Sequence, residues 1–236
     1  KIMDNKNVIQ NNEFSLVHRI LKTNIKKVPN PQEDEIIFGC GCFWGAEKCF
    51  WKLPGVVTTS VGYAGGRKNN PTYYEVCSGL TGHSEVVRVV WNRSEIDISD
   101  LLKMFWECHD PTQKNRQGND LGTQYRSAIF YKSEKNEKII LASKEQYQKE
   151  LNKENLGSIK TEIKMIDNYF YAEQYHQQYL ASEGSRQYCS ASPTKVKLGN
   201  FTGSNFILKD EIWENFNWEV DKCVLRSDNN PIKVNI

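Results

Sequence analysis

An alternation of strand and helix patterns over residues 35–180 limits the fold of this chain more than any other feature. Short apolar or β-branched runs predict five strands: Ile36–Phe38, Val56–Tyr63, Ser84–Trp91, Ser127–Tyr131 and Thr161–Ile166. Apolar residues at helical spacing predict four helices: Phe43–Leu53, Leu101–Cys108, Lys135–Lys153 and Phe170–Leu180. Elements in this order favour an α+β fold, a two-layer sandwich on a mixed β-sheet of the ferredoxin-like kind.

The sequence on either side of this region is of a different character. Residues 1–33 are polar and end in Pro29-Asn30-Pro31-Gln32, which predicts an N-terminal extension and linker. Residues 34–181 are expected to form one folded domain. Residues 182–236 predict a loop-rich C-terminal tail, which carries Cys189 and Cys223.

Composition and charge exclude several classes of protein. With 39% hydrophobic and 25% charged residues, the chain has a soluble globular composition. Its 31 Lys and Arg nearly balance 29 Asp and Glu, which argues against nucleic-acid binding through counterion release. The longest apolar runs stop at four or five residues, whereas a membrane span needs roughly 18. We therefore expect that the protein binds no nucleic acid and no membrane. Because no apolar surface stripe is evident, we also expect a monomer.

The seven cysteines are an odd number scattered along the chain, which does not fit a fully paired disulfide scaffold. Reduced thiols in a cytosol-like compartment are expected, with at least one thiol available for chemistry. We therefore expect a cytoplasmic protein. An organelle is not excluded, because a first residue other than Met leaves room for a trimmed terminus.

The segment Gly39-Cys40-Gly41-Cys42-Phe43-Trp44-Gly45 places a cysteine between a predicted strand and the first turn of a predicted helix. Backbone N–H groups and the positive end of the helix dipole favour a thiolate there, so we expect a lowered pKa for Cys42. Phe43 and Trp44 can wall an apolar pocket beside the sulfur, which suits a thiol nucleophile. Two alternatives are a buried structural thiol and a metal site at Cys40 and Cys42. A closed metal site needs two more ligands, and the sequence has no second pair of cysteines at CxxC spacing to supply them.

Glu85 provides a second indication, because it shares one face of its predicted strand with Val87, Val89 and Trp91. A carboxyl group held among apolar neighbours resists ionisation, so its pKa is expected to rise and it can donate a proton near neutral pH. The alternative is a carboxylate at the end of the strand that reaches solvent.

Two further segments are dense in polar and aromatic residues. Asn70–Glu75 offers phenol donors in a loop, and His109–Arg126 is a long polar segment between a helix and a strand. Loops of that length are often functional. A solvated surface loop is the alternative, and the pattern alone does not choose among its residues.

These stretches together resemble the peptide methionine sulfoxide reductases of the A type, which act on the S epimer of the sulfoxide. The resemblance runs from about Glu35 to Leu180. The matching blocks are Gly41-Cys42-Phe43-Trp44-Gly45, Gly62-Tyr63-Ala64-Gly65-Gly66, Thr81-Gly82-His83-Ser84-Glu85-Val86-Val87, His109–Arg126 and Tyr175-His176-Gln177-Gln178-Tyr179. The domain 34–181 is then expected to be catalytic, and five blocks in order are highly specific.

The resemblance implies a role for each matching residue. Cys42 would attack the sulfoxide sulfur, and Glu85 would protonate the sulfoxide oxygen with help from hydrogen bonds of Tyr73 and Tyr125. The implied substrate-binding residues are Phe43 and Trp44, around the substrate methyl group, and Asp120, on the polar side of the pocket.

The resemblance also implies how the enzyme is reset. The product on Cys42 would be a sulfenic acid, which condenses with a second thiol to a disulfide. Thioredoxin, or another dithiol, would then reduce the disulfide, and no bound cofactor or metal is implied. Substrates would be free methionine sulfoxide and oxidised residues in peptides or proteins, so the implied role is repair of oxidised proteins.

The resolving thiol is where this sequence departs from the family. A small non-thiol residue commonly stands at the position of Cys40, and the family's tail is usually richer in glycine than Gln187-Tyr188-Cys189-Ser190. Cys189 is the first candidate because a mobile tail can swing to the pocket; Cys223 is second and Cys40 third. The remaining cysteines are expected in the core (Cys49, Cys108) or without a redox role (Cys77).

Two other classes of function stay open at this point. A binding module could recognise methionine side chains in the aromatic pocket without turnover. A redox sensor or metal-binding protein could use the cysteines instead. Turnover of methionine sulfoxide and its dependence on Cys42 would separate the three.

Overall fold

In the computed structural model, which describes residues 16–199 and 201, a six-stranded mixed sheet forms the centre of the fold. Its strands are β1 (Glu33–Cys40), β2 (Val56–Ala64), β3 (Ser84–Asn92), β6 (Ser127–Tyr131), β7 (Glu162–Met165) and β8 (Tyr169–Tyr171). They lie in the order β7-β6-β1-β3-β2-β8, and all neighbours are antiparallel except β6 and β7. Two short strands, β4 (Arg116–Gln117) and β5 (Asp120–Leu121), pair separately.

The helices are α1 (Phe43–Trp51), α2 (Tyr73–Cys77), α3 (Ile98–Glu107) and α4 (Glu137–Lys153). The three longer ones, α1, α3 and α4, bury apolar side chains in one cluster with β1, β3 and β6, so they cover the same face of the sheet. This confirms an α+β fold with a mixed sheet. Within the described ranges, no helix has the length and apolarity of a membrane span.

The predicted helix Phe170–Leu180 is wrong. Its first residues belong to β8, which pairs with the edge of β2, and the rest forms two short 3-10 turns, Gln174–His176 and Tyr179–Ala181. Gln178, before the second turn, has a φ of 47° in the left-handed region, which interrupts any helix. Tyr and Phe are favourable residues in a strand. The pairing of β8 with β2 is a long-range contact, which the local spacing of apolar residues does not reveal.

Residues from 16 onward pack against the domain rather than forming a free linker. His18 and Ile25 are fully buried, and Arg88 of β3 donates hydrogen bonds to the carbonyls of Ile25 and Lys27. At the other end, residues 182–199 contain no helix or strand, yet Ser190 and Leu198 are buried. Both segments therefore belong to the packed structure.

Candidate active site

Cys42 lies at the N-terminus of α1, where β1 ends and the chain turns at Gly41. Gly41 has a φ of 89°, and a Cβ atom there would crowd the side chain of Gln117. The turn directs Cys42 inward, so that only 9% of the residue is exposed. The predicted strand–turn–helix placement of this cysteine is therefore what the structure contains.

Glu85 meets the same helix end from the neighbouring strand β3. Its Oε2 accepts a hydrogen bond of 3.1 Å from the backbone N–H of Phe43, the residue after Cys42. The residue is 2% exposed and lies on the helix-covered face of the sheet, as the alternation along β3 predicts. Burial raises the pKa of Glu85 to about 8, and the charge of Asp120 adds to the rise. Glu85 is therefore a protonated acid at neutral pH.

The expected lowering of the pKa of Cys42 is wrong. Burial raises the pKa of its thiol well above the ordinary value, and the nearby charge of Glu85 adds to the rise. The backbone N–H of Trp44 favours the thiolate, but more weakly. The helix dipole favours a thiolate, but the loss of water around the buried sulfur has the larger effect here. Cys42 therefore rests as a thiol.

Two tyrosines lie around the same carboxyl group. Burial raises the pKa of both Tyr73 and Tyr125, and the charge of Glu85 is the next cause for each. Both phenols therefore stay protonated and can donate hydrogen bonds. Tyr73 was expected in a loop, but it is the first residue of α2, which Thr72 caps. Asp120 contributes to the raised pKa of Cys42, Glu85 and Tyr125, so it lies within electrostatic range of all three.

Aromatic rings form one wall of the site, and His176 lies at their centre. The indole N–H of Trp44 donates to Nδ1 of His176 at 3.1 Å, so the imidazole hydrogen is on Nε2. The ring centroid of His176 lies 5.0 Å from that of Phe43 and 4.6 Å from that of Tyr73. Tyr179 stacks on Trp44 at 3.9 Å. Burial lowers the pKa of His176 to about 4, so this wall is uncharged at neutral pH.

Three further residues of the site, His176, Tyr179 and Glu173, were not among the site residues predicted from the sequence. Glu173 accepts hydrogen bonds of 2.8 Å from the Tyr63 hydroxyl and from the backbone N–H of Tyr73, and so holds the start of α2. The block containing His176 and Tyr179 was a usable signal, since it matched the family. Glu173 precedes that block and had no signal of its own.

The tail segment 188–192 lies directly over the site. The Tyr188 hydroxyl donates to Oδ1 of Asp120 at 2.6 Å, and the backbone N–H of Ser192 donates to Gln117 at 3.0 Å. Between these contacts Cys189 packs against α1, where a Cβ atom on Gly45 would overlap its sulfur. The first-ranked resolving candidate is therefore already docked beside the helix of Cys42. Cys223 lies outside the described residues.

Three other thiols, those of Cys40, Cys49 and Cys108, meet in the core beneath α1 and are at most 7% exposed. The sulfurs of Cys40 and Cys108 and a ring nitrogen of His109 lie within 4.8 Å of one another. Nδ1 of His109 lies 2.7 Å from the carbonyl of Phe105, which can only accept, so Nδ1 carries the hydrogen. Nε2 is engaged with Ser127 at 2.7 Å. The imidazole therefore has no spare lone pair for a metal, and the donor set does not favour a closed metal site.

A buried hydrogen-bond network behind the site centres on Glu47 of α1, which is fully buried. Its carboxyl group accepts from Thr59 at 2.9 Å and from the backbone and side-chain N–H groups of Gln178 at 2.8 and 2.7 Å. His18 extends the network with a 2.8 Å hydrogen bond to Thr59. These contacts fix the left-handed Gln178 and, through it, the position of Tyr179.

The buried carboxyl group of Glu47 predicts a pH dependence of stability. Burial raises its pKa from 4.5 to about 7, so the unfolded chain loses this proton at lower pH than the folded chain. The free energy of unfolding should therefore fall as pH rises from 4.5 to about 7. Glu47→Gln should remove on the order of 1–3 kcal/mol of that fall. Urea unfolding at pH 5 and pH 8 measures the difference.

The control is Glu154→Gln, at an exposed position just after α4, which should keep the pH dependence of the parent chain. Glu85 titrates in an overlapping range, so a smaller decrease should remain in Glu47→Gln. An identical pH dependence in Glu47→Gln and the parent would contradict the prediction.

Comparison with known proteins identifies relatives of this chain. Residues 34–206 match the family described as peptide methionine sulfoxide reductase. The chain is 53% identical over 180 residues to peptide methionine sulfoxide reductase MsrA of Vibrio vulnificus, covering 76% of this chain and 86% of that protein. It is 54% identical over 169 residues to the mitochondrial peptide methionine sulfoxide reductase of Mus musculus, covering 71% and 72%.

Two solved structures share the fold. Methionine sulfoxide reductase A of Corynebacterium diphtheriae superposes with a TM-score of 0.62 at 39% identity, covering 76% of this chain and 90% of that chain. Mxr1 from Saccharomyces cerevisiae in its reduced form gives a TM-score of 0.64 at 35% identity, covering 75% and 96%. The fold, the site and these matches together define an oxidoreductase that reduces methionine sulfoxide. More particularly, the chain belongs to the peptide methionine sulfoxide reductase family.

Proposed function

We propose that this enzyme reduces the S epimer of methionine sulfoxide through a sulfenic acid on Cys42, with Glu85 as the acid. The observation that carries the proposal is the buried Glu85 carboxyl group, which is protonated at neutral pH and hydrogen-bonded to the residue after Cys42. A neutral acid beside a thiol is what oxygen transfer from a sulfoxide requires, because the oxide is a poor leaving group until it is protonated.

Glu85 and Cys42 together supply and recover every proton that this step requires. Glu85 donates its proton to the sulfoxide oxygen while the sulfur of Cys42 attacks the sulfoxide sulfur, and the Cys42 proton returns to Glu85. The attack forms a transient bond between the two sulfurs; that bond and the S–O bond of the substrate then break as an S–O bond to Cys42 forms. Methionine leaves, the sulfenic acid stays, and Glu85 is again protonated. The phenols of Tyr73 and Tyr125 would donate hydrogen bonds to the oxygen as its charge develops.

The aromatic wall supports the proposed mode of substrate binding. Phe43 and Trp44 would hold the methyl group of the sulfoxide, with His176 and Tyr179 keeping the Trp44 ring in place. Asp120 would close the polar side of the pocket. Free methionine sulfoxide and oxidised residues in peptides or proteins would both present this group, which supports a role in protein repair.

Resetting would begin with Cys189. Its thiol would attack the sulfenic sulfur, forming the Cys42–Cys189 disulfide and releasing the oxygen as water. The position of the Cys189 sulfur against Gly45 supports this choice over Cys40, which is buried in the core cluster. Thioredoxin, or another dithiol, would then reduce the disulfide, as family membership suggests. The role of Cys223 as the second resolving candidate stays a prediction.

Gly45→Ala should separate the two half-reactions. The added Cβ would displace the sulfur of Cys189, while alanine in a helix interior is more favourable than glycine by about 1 kcal/mol. We expect methionine release in the first turnover to stay within about threefold of the parent, whereas disulfide formation slows by on the order of tenfold or more. Rapid quench followed by thiol counting measures both steps.

Gly157→Ala is the matched control, because a Cβ atom there meets only Thr112 at an ordinary 3.6 Å. It should leave both half-reactions unchanged. Equal loss of both steps in Gly45→Ala would show that the helix itself had moved, and normal disulfide formation would show that Cys189 does not resolve the sulfenic acid.

Further predictions concern the architecture, the assembly and the location of the enzyme. The order β1-α1-β2-β3-α3-β6, with strands β6-β1-β3-β2 side by side, supports a ferredoxin-like arrangement of the catalytic domain. The domain bounds 34–181, a monomeric state and a cytoplasmic location stay predictions. So do the expectations that no nucleic acid, membrane or bound cofactor is involved.

The assay that tests the proposed function uses each epimer of a methionine sulfoxide peptide, first with dithiothreitol and then with thioredoxin. Reduction of the S epimer with either reductant is expected. Reduction of the R epimer alone would overturn the stereochemical assignment. Binding of either epimer without turnover would favour the binding module.

A further inference from the structure

The buried cluster of Cys40, Cys49 and Cys108 has no role in the reaction described above, although thiols are the reacting groups of this enzyme. Cys40 and Cys108 are 3% and 1% exposed, and their sulfurs lie within 4.8 Å of each other. Disulfide formation brings two sulfurs to about 2 Å, so only a small movement separates the pair from a bond. The cluster therefore contains a pre-positioned pair of thiols.

Cys189 connects this cluster to the active site. Its sulfur lies against Gly45, and Cys49 follows four residues later on α1, one helical turn away on the same face. Burial raises the pKa of Cys40, and the charges of Cys49 and Cys189 add to the rise. Cys189 also contributes to the raised pKa of Cys42 and of Cys108. Cys189 is thus within electrostatic range of both the nucleophile and the buried pair.

We propose that Cys40 and Cys108 form a second redox-active pair, which takes the oxidising equivalent from the Cys42–Cys189 disulfide by thiol–disulfide exchange. The inference rests on the proposed function, because that disulfide is its starting point. The pair differs from the resolving candidates considered above, since it acts after the sulfenic acid has been resolved.

The exchange balances without an external reagent. Cys40, as a thiolate, attacks the Cys189 sulfur, and Cys42 leaves and takes up the proton that Cys40 released. Cys108 then attacks the Cys40 sulfur, and Cys189 leaves and takes up the proton of Cys108. One disulfide replaces another, and Cys42 and Cys189 are thiols again. The chain can then reduce a second sulfoxide before any reductant arrives.

The surroundings of the pair set the rate of this exchange. Burial raises the pKa of Cys40, and for Cys108 the interaction with Cys40 and burial both raise it. Few thiolates are therefore present at neutral pH, and exchange requires the thiolate. The transfer should be slower than the first turnover and should accelerate as pH rises.

Counting methionine released without a reductant tests the proposal. The chain carries Cys223→Ser, which removes the cysteine outside the described residues, and is mixed with excess methionine S-sulfoxide. We expect about two methionines per chain, one in a fast phase and one in a slow phase. Cys40→Ala in the same background removes the attacking thiol and should release about one, in the fast phase only. Cys77→Ser is the control, because it removes a half-buried thiol outside the cluster and keeps a hydroxyl group for the side-chain hydrogen bond with Tyr73; it should release two.

Peptide mapping of the Cys223→Ser chain after the slow phase provides a measurement with the cluster intact. A Cys40–Cys108 disulfide is expected beside Cys42–Cys189. One methionine per chain, or thiols at Cys40 and Cys108 after two turnovers, would overturn the proposal and leave the proposed function standing. Two methionines from Cys40→Ala would also overturn it. Absence of both the fast methionine and the Cys42–Cys189 disulfide would overturn the two together.

Discussion

Cys42→Ser should abolish the reduction of methionine sulfoxide while leaving the fold intact. A hydroxyl group is a far weaker nucleophile than a thiol and cannot form a sulfenic acid, so kcat/KM should fall by on the order of 10⁴-fold or more. Serine is a favourable residue at the start of a helix, and Cys42 is the N-cap residue of α1. Steady-state assays with the S epimer measure the loss, and circular dichroism with urea unfolding measures the fold.

Cys77→Ser is the matched control, because Cys77 is a half-buried thiol at the end of α2. It should retain activity within about threefold of the parent, the range expected of a substitution outside the reacting groups. Residual turnover above about 1% in Cys42→Ser would remove this residue from the role of nucleophile.

Glu85→Gln should slow sulfoxide reduction by on the order of 10²–10⁴-fold, the range for loss of a general acid. The parent rate should fall as pH rises through about 8, because Glu85 loses its proton there. Gln cannot titrate, so this descending limb should vanish, and the difference between parent and variant should be largest below pH 8. A profile of kcat/KM against pH measures both effects. The Gln carbonyl can still accept from Phe43, which preserves the local structure.

A second measurement follows from the charge of the same carboxyl group. After burial, Glu85 is the next cause of the raised pKa of Cys42, so Glu85→Gln should shift the alkylation of Cys42 to lower pH. Glu47→Gln also removes a buried carboxyl group, one that belongs to α1 itself. In this variant kcat/KM should still fall as pH rises through about 8. If Glu85→Gln kept that decrease, another group would be the acid.

The sequence predicted the site well where the signal was local. The strand–glycine–helix junction located Cys42, and the alternation along β3 located Glu85 on the covered face. The hydrogen bond from the backbone N–H of Phe43 to the side chain of Glu85 then joins the two elements. Each element could be predicted because the regular spacing of apolar residues along the chain identifies a helix or a strand.

Long-range contacts account for what the sequence did not predict. Tyr169–Tyr171 pair with β2, more than 100 residues earlier in the chain, so the predicted helix begins as a strand and continues as two short 3-10 turns. The tail that packs over Cys42 helps to bury its sulfur, and this burial raises the pKa of the thiol. The position of Cys42 at a helix N-terminus does not reveal that burial, so the predicted direction of the pKa change was wrong. Cys40 and Cys108 meet only through the packing of α3 on β1. Their proximity has no signature in sequence spacing.

The docking of Cys189 against Gly45 has a consequence for enzyme survival. A sulfenic acid that waits for its partner is exposed to peroxide, which drives it to the sulfinic state that this chemistry cannot reverse. The sulfur of Cys189, the proposed partner, already lies over the first turn of α1, so in the proposed mechanism the vulnerable intermediate would be short-lived. Close packing of one tail residue would thus guard the catalyst against the oxidants whose damage it corrects.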